Sequence, residues 1–475
     1  MTTVEAEPRG IGNREPRRLT AAGVPLAWPL GVMFVGTILG YGVWAAFTGH
    51  GRFIPLRVGY ATDSAIYVRA ARAPVWSMQF LATPNGGPFL FLLLVKLCLR
   101  NLRAIVLVQS ALAAGAWLFL AHTVALLLRR PWLRSLAFAV VLLVALSPQV
   151  LVWNATIATE SLAVSLLVTA IALSLRVATG AGSRSFVALL VVFAALACTR
   201  DTNIGLLLLI ALLAGVVALT RASVRRRALA IVAVCVVAAG VNIGLSSRAH
   251  RWYHPLTETI VLRVFGSPTA TEYFVAHGMP YDERVRGLHT HYVANLKDLY
   301  SAPRYAPFRT WIFNDGRSTY ADFLATHPGW TFGKPYADRK RLLAPELPYG
   351  VLFHDDPRGA FRVIGAVAFP SNMVLVEVWI GAGLIAGVML GRQPRFRGVI
   401  VVLGGSALLV VAGFLAAWHG DALEIERHSL GATVQLRVVL WIVALMTVDS
   451  LFARTATRSV EVRAEPEPCE GKEQR

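Results

Sequence analysis

Charge is scarce in this chain. Of its 475 residues only 15% are Asp, Glu, Lys or Arg, against 56% hydrophobic, whereas a soluble protein carries about a quarter charged. An ordinary water-soluble globule is excluded on that ground. Cysteine is scarcer still: the chain holds Cys98, Cys198, Cys235 and Cys469. None forms a C-x-x-C pair, and Cys198 and Cys235 fall in apolar runs, so neither a disulfide framework nor a zinc site is expected. No Walker loop, G-x-S-x-G, H-E-x-x-H or dinucleotide fingerprint occurs, which removes the common nucleotide-dependent, serine-hydrolase and zinc-protease readings. No small-residue cleavage site follows a short apolar core near the start, so a cleavable signal peptide is not expected.

What the sequence has in abundance is apolar runs of about 17–25 residues, each long enough for a hydrocarbon core of ~30 Å. Backbone groups cannot stay unpaired in lipid, so such runs imply bundled helices. About ten spans are expected: Pro25–Phe47, Leu102–Leu128, a third ending near Trp153, a fourth from Glu160 to Arg176, a short fifth Ser185–Thr199, a sixth ending at Arg221, Ala228–Ser246, and residues 371–390, 399–418 and 430–452. A further apolar stretch, Phe89 to Leu99, is too short to cross and suits an interfacial or re-entrant helix.

The net charge of +19 first suggests nucleic acid, but its distribution argues otherwise. The connections holding Arg129, Arg130, Arg134, Arg176, Arg184, Arg221, Arg225–Arg227, Arg392, Arg395 and Arg397 contain no Asp or Glu. Short arginine clusters at span ends are topology signals, and they place these connections and both termini in the cytoplasm. The expected fold is therefore an all-α polytopic membrane protein with a small mixed extracytoplasmic domain, in the cell (inner) membrane. Its parts are a disordered cytoplasmic tail (1–24), a transmembrane module (25–246) whose first outer loop spans 48–101, the extracytoplasmic domain (247–369), C-terminal transmembrane helices (370–453) and a second disordered tail (454–475).

Ionisable groups near membrane depth are costly and usually face a cavity or a partner. Asp63, in Tyr60-Ala-Thr-Asp63-Ser-Ala-Ile-Tyr67, reads either as a general base or metal-holding carboxylate beside a phosphate, or as an N-cap of the helical stretch that follows. Glu160 opens the fourth span as a first-turn acid favoured by the helix dipole, or as a second acidic group in an outer cavity. Arg200-Asp201 sits between two short spans, either as an ion pair or with Arg200 facing a lipid phosphate. Glu424-Ile-Glu426-Arg427-His428 enters the last span; arginine suits phosphate recognition, and Arg437 lies deeper in the same span. Glu377 is explained by snorkelling. In 247–369, His289-Thr-His291 and His354-Asp-Asp356 invite a metal reading for alternate His on a strand, but no third ligand has diagnostic spacing.

In order and membrane side these features resemble the GT-C superfamily of polyprenyl-phosphate-sugar-dependent glycosyltransferases. The resemblance rests on Asp63-Ser-Ala-Ile-Tyr67-Val-Arg-Ala-Ala71 past the first span, Gly87-Pro88-Phe89 opening an apolar stretch that ends in Lys96-Leu, Gln109-Ser110 within span 2, Thr159-Glu160-Ser161, and Glu426-Arg427-His428-Ser429-Leu430 entering the last span. It covers about residues 25–250 as architecture. Family members often carry a basic residue before Pro-Pro, where this chain has Gly86-Gly87-Pro88.

The resemblance implies a sugar transferred, with inversion, from a polyprenyl-phosphate donor to an extracytoplasmic glycan, lipid or protein acceptor. Asp63 and Glu160 would be catalytic, with Tyr60 and Tyr67 lining the pocket. Arg427, His428, Lys96 and Arg200 would meet the donor phosphate. A divalent cation, Mg²⁺ or Mn²⁺, is compatible with this chemistry; no other cofactor and no nucleic acid is expected. The competing readings are a transporter or flippase of a lipid-linked precursor and a non-catalytic envelope assembly protein. No internal repeat of the kind transporters show is evident.

Overall fold

Asparagine or proline sets the start of three of the long helices, at Asn101, Pro131 and Asn372. The computed structural model describes residues 27–48, 62–83, 89–343, 359–420 and 422–463, with side chains described except at 27, 48, 62, 63, 291–296 and 454–463. Helix α1 is Ala27–Thr48, followed by the short α2 (Thr62–Ala70), α3 (Met78–Leu81) and α4 (Phe89–Leu97). Asn101 then caps α5 (Leu102–Leu127), its Oδ1 accepting from Arg103 N and Ala104 N at 3.0 and 3.3 Å. Pro131 opens α6 (Pro131–Leu146) and Pro148 opens α7 (Pro148–Ala155). α8 (Thr159–Ala178), α9 (Ser183–Ala197), α10 (Asn203–Thr220) and α11 (Arg225–Arg248) complete the first half.

Among the described residues eight helices are long and apolar enough to cross a membrane, α6 and α7 form a bent pair that could be a ninth, broken span or a re-entrant loop, and α9 is a shorter apolar helix. Against about ten expected crossings, eight helices thus qualify among the described residues, or nine with the broken pair; the expected fifth, Ser185–Thr199, falls on α9, which is too short to qualify. The third differs in shape. It is expected as one run to Trp153, but Ser147–Pro148 splits it and the halves bend by 57°, because proline has no N–H to continue the ladder and its ring clashes with the preceding turn. The bend turns α7 back toward α8 and creates the buried turn Asn154–Thr159.

α5 is the central helix and packs on α1, α6 and α8. Trp117, Leu120 and Ala121 on α5 are fully buried in a core shared with Phe34 and Ile38 of α1 and Val168 of α8. Gly42 lets α1 and α5 touch; a Cβ there would meet Ser110 Oγ at 2.5 Å. α9, α10 and α11 form a second apolar cluster around Phe193, Leu207 and Cys235.

Residues 247–369 are expected to be mixed in structure; among the described residues they are helical. The helices are α12 (Tyr253–Thr259), α13 (Pro268–Ala276), α14 (Glu283–Arg286), α15 (Leu288–Ser301), α16 (Ala306–Trp311), α17 (Arg317–Thr326), α18 (Pro328–Ala337), α19 (Arg339–Leu343) and α20 (Ala360–Ala368), with π-helical turns after α12 and α16. Prolines start several of these helices: Pro268, Pro307 and Pro328 stand in first turns, where the missing N–H costs nothing. Phe265, Phe274, Phe308, Trp311 and Phe323 build this lobe's own aromatic core. His289 and His291 lie on α15 rather than on a strand, and His289 Nδ1 sits 3.0 Å from Val261 O. His354-Asp-Asp356 lies outside the described residues.

The chain closes with α21 (Met373–Gly391), α22 (Arg397–Gly420) and α23 (Ile425–Arg463). α23 begins earlier than the apolar run at 430, so Glu426, Arg427 and His428 belong to its first turn. It packs on α6, α8, α21 and α22, which brings that turn against the start of α8.

Candidate functional site

The site grows from the Asn154–Thr159 turn. Its carbonyls are met from inside: Gln109 Nε2 donates to Trp153 O and Thr156 O at 3.4 and 3.0 Å, and Ser161 Oγ donates to Asn154 Oδ1 at 2.8 Å. Such internal partners are what a buried turn requires. The turn delivers Glu160 to the first turn of α8 with no exposure at all.

Two guanidiniums enclose that carboxylate. Arg427 Nε donates to Glu160 Oε1, and Arg200 Nη2 lies 3.5 Å from the same oxygen. Arg427 also reaches Glu424 Oε2 through Nη1 at 2.7 Å. Arg200 Nη2 donates to His428 Nδ1 at 2.7 Å. Arginine can only donate, so this nitrogen is an acceptor and the proton of the neutral ring sits on Nε2. Two carboxylates therefore face two guanidiniums, with His428 bridging at the edge. Glu160, Arg200, Arg427 and His428, singled out separately in the sequence, form one cluster.

Arg200 and Asp201 do not pair with each other. Adjacent in the α9–α10 turn, they face opposite ways: Arg200 toward Glu160, and Asp201 toward Arg251, whose Nε and Nη2 meet Oδ2 and Oδ1 at 2.9 and 3.1 Å. Ser246 Oγ adds a bond at 3.2 Å. Burial pushes the Asp201 carboxyl above the ordinary aspartate range, against the pull of Arg251. The turn is fixed by Asn203 Nδ2 to Leu196 O at 2.9 Å and Asn242 Nδ2 to Ala197 O at 2.7 Å. Arg200 is thereby aimed by backbone it does not itself support.

The first loop docks on both turns. Leu90 N donates to Cys198 O at 3.0 Å, and Ser64 Oγ donates to Ile157 O at 2.7 Å. Ser64 follows Asp63, so the first turn of α2 lies against the turn that presents Glu160. Asp63 is the second residue of α2; its side chain, Tyr60 and Gly86-Gly87-Pro88 lie outside what is described. Tyr67 is buried edge-on against Phe91, centroids 5.0 Å apart. Lys96 stays within the loop: Nζ donates to Ala71 O and Ala73 O at 3.2 and 2.7 Å and lies 5.6 Å from the Phe80 ring centre. The structure thus joins Lys96 to α2–α4 rather than to the arginine cluster.

Sequence reasoning missed Glu424 as the second carboxylate on Arg427, and it missed Arg341, which forks onto Glu426 at 2.6 and 3.2 Å from α19. The i,i+3 spacing of Glu424, just before α23, and Arg427 in its first turn was the available signal for the first; nothing local signals the second. Among the described residues no group of three His, Cys, Asp or Glu could hold a metal ion.

No protein-family model and no curated protein matches the chain. Among solved structures, the archaeal oligosaccharyltransferase AglB from Archaeoglobus fulgidus, in complex with an inhibitory peptide and a dolichol-phosphate, aligns over 93% of this chain and 53% of its own, with 11% identity and a TM-score of 0.38. The chain spans about half the length of that protein, and a likeness of this degree assigns no family.

Proposed function

We propose that this protein is a membrane glycosyltransferase of the GT-C kind, taking a sugar from a polyprenyl-phosphate donor and passing it to a hydroxyl-bearing acceptor on the extracytoplasmic side of the cell membrane. The observation that carries the reading is the arginine cluster anchored on Glu160, set against the first turn of α2 that bears Asp63. The acceptor oxygen attacks the anomeric carbon from the face opposite the phosphate. The anomeric C–O bond breaks, polyprenyl phosphate leaves with the bonding electrons, and the acceptor proton passes to the Asp63 carboxylate. Charge grows on the leaving phosphate, and Arg200 and Arg427, held in place beforehand by Glu160, are suited to stabilise it. His428 Nε2–H is a further donor.

Glu160 in this scheme positions the cations and transfers no proton, since both guanidiniums occupy its Oε1. The described residues do not offer the ligand set a Mg²⁺ or Mn²⁺ ion would need, so no step is routed through one. Glycan, lipid and protein acceptors all provide the hydroxyl the scheme requires.

The test is turnover by purified protein in nanodiscs supplied with polyprenyl-phosphate sugars, following free polyprenyl phosphate. Wild type releases it, and Asp63→Asn loses release by about 10²–10⁴-fold, the usual contribution of a general base, while still binding donor. Lipid flipping without release in wild type would replace the transferase reading with a flippase.

A further inference from the structure

The cations buried along α23 differ in one respect. Arg427 faces Glu160 and Glu424. Arg437, about 15 Å further along the helix at 1.5 Å per residue, faces no carboxylate among the described residues. Its side chain is fully buried. Nη2 donates to Leu343 O at 2.6 Å, and the guanidinium carbon lies 5.8 Å from the Phe369 ring centre and 5.9 Å from that of Trp379. Among the described residues Nε and Nη1 have no hydrogen-bond partner.

Three separate stretches converge on it: the end of α19, the C-cap of α20 and the second turn of α21. The approach from α19 is itself built, with Thr433 Oγ1, one turn before Arg437, donating to Leu342 O at 2.8 Å. A lone guanidinium in such a place is an expensive choice. Aromatic faces and one carbonyl recover only part of its lost hydration, and an apolar residue of similar volume would pack there without that penalty.

We propose that Arg437, walled by Phe369 and Trp379, is a binding site for the phosphate of a membrane lipid, distinct from the Glu160-anchored cluster. Two N–H donors and a positive charge that no described residue satisfies call for an anionic oxygen ligand, and phosphate is the anion arginine pairs with best. The surroundings select an anion that brings hydrocarbon with it. α21, which contributes Trp379, is the least buried of the spans at 11%, and its Val374, Leu375 and Val378 are exposed. A lipid tail has that face to lie along. The site stands whether or not sugar transfer is correct, because it requires binding only.

The experiment uses the full chain in phosphatidylcholine nanodiscs and reads melting temperature and lipid retention by native mass spectrometry. The probes are polyprenyl phosphate, polyprenol of equal length, phosphatidylglycerol and inorganic phosphate. Wild type retains polyprenyl phosphate about tenfold or more over the polyprenol, the size of one charge-assisted hydrogen bond, and its melting temperature rises with it. Arg437→Met abolishes that preference and melts at the same or a higher temperature without ligand, since it removes a buried charge. Equal retention of phosphatidylglycerol supports the site and assigns it to bulk headgroups; a shift with inorganic phosphate alone assigns it to the free anion. If the Met variant fails to fold, Arg437→Gln, which keeps a donor for Leu343 O, supplies the comparison. An intact phosphate preference in either folded variant overturns the proposal, as does no preference in wild type. Retention needs no turnover, so a failure here and a failure of the transfer reading are separately visible.

Discussion

At one end of the bundle Glu160 is enclosed by the guanidiniums of Arg427 and Arg200; at the other, Asp449 is equally hidden, at 1% exposure, but accepts mainly from backbone. The N–H groups of Arg129 and Arg130 approach its Oδ1 at 3.1 and 3.4 Å, and Arg395 Nη1 stands 3.6 Å from Oδ2. The arginines of that end also serve the protein's own carbonyls: Arg130 donates to Phe452 O, Arg134 to Leu128 O, and Arg395 to Leu127 O, all at 2.9 Å. Asp449 is thus a staple joining the α5–α6 connection and the α21–α22 connection to α23. Glu160 instead gathers cations from α9–α10 and α23 beside the docked loop. Similar residue types, a buried acid and arginines at span ends, give a joint in one case and a cationic cluster in the other. What separates them is whether the guanidiniums point at the protein or at each other's shared carboxylate.

Removing each acid should pull the two ends apart most clearly. Glu160→Gln removes the carboxylate that Arg200 and Arg427 share, and stranding a buried charge costs about 3–5 kcal/mol. A large fall in melting temperature and loss of donor consumption per folded molecule are expected. Asp449→Asn weakens a staple whose hydrogen bonds an amide oxygen still accepts, at a cost of about 1–3 kcal/mol, and leaves consumption per folded molecule unchanged. Equal loss of turnover in both variants would erase the distinction drawn here.

Arginine-to-lysine exchange asks the same question without removing charge. Arg427 joins Glu160 and Glu424 through separate nitrogens, which a single ammonium cannot reproduce. Arg427→Lys is expected to slow polyprenyl phosphate release by about 10²-fold, the scale of one lost donor to a developing anion. Arg395→Lys at the opposite end should leave the rate unaltered. A rate loss confined to Arg395→Lys would reverse the assignment of roles.

Both ends were legible in part. The spans could be read because runs of apolar residues long enough to cross a bilayer leave few alternatives. Glu160, Arg200, Arg427 and His428 could be picked out because charge beside an apolar run demands a reason. Their joining could not be read, since it depends on how turns aim side chains: Arg200 and Asp201 are neighbours in sequence and serve different partners. Pro148 was read through as part of one run to Trp153, and a proline alone does not give a 57° bend or the buried turn that follows. Leu99 and Arg100 reverse the chain between α4 and α5 with φ of 51° and 60°, a left-handed pair of non-glycine residues that no local preference predicts. The helical lobe was hidden by its prolines, whose place at helix starts emerges only with the aromatic core around Phe274 and Phe323. Asp449 was overlooked because one acid at the end of a long apolar run looks like a solvated span end.

A smaller effect should come from the surface of the Glu160 end. Arg341 of α19 pairs with Glu426, but 47% of its side chain is exposed. Exposed pairs contribute about 0.2–1 kcal/mol, so Arg341→Ala should lower the melting temperature slightly and lose that difference in high salt. If it instead abolished donor consumption, Glu426 would have to be counted with the cluster it adjoins.

The finest difference between the ends is expected in acid. The lobe stacked above the Glu160 end holds His254 against Tyr300, ring centres 4.3 Å apart, and burial lowers this imidazole below the ordinary histidine range. The fold therefore favours the neutral ring, while the unfolded chain takes up the proton more readily. Stability contributed by His254 is complete above the ordinary histidine range and declines as pH falls through it toward the folded value, by at most about 1.4 kcal/mol per pH unit for one proton. His254→Phe keeps the edge-to-face ring contact and removes the titration, so its melting temperature should fall less steeply with acid than that of wild type. Asp449→Ala should leave that acid slope in place, because the lobe lies at the other end. A His254→Phe slope equal to that of wild type would mean that burial in this aromatic layer does not decide the charge of the ring.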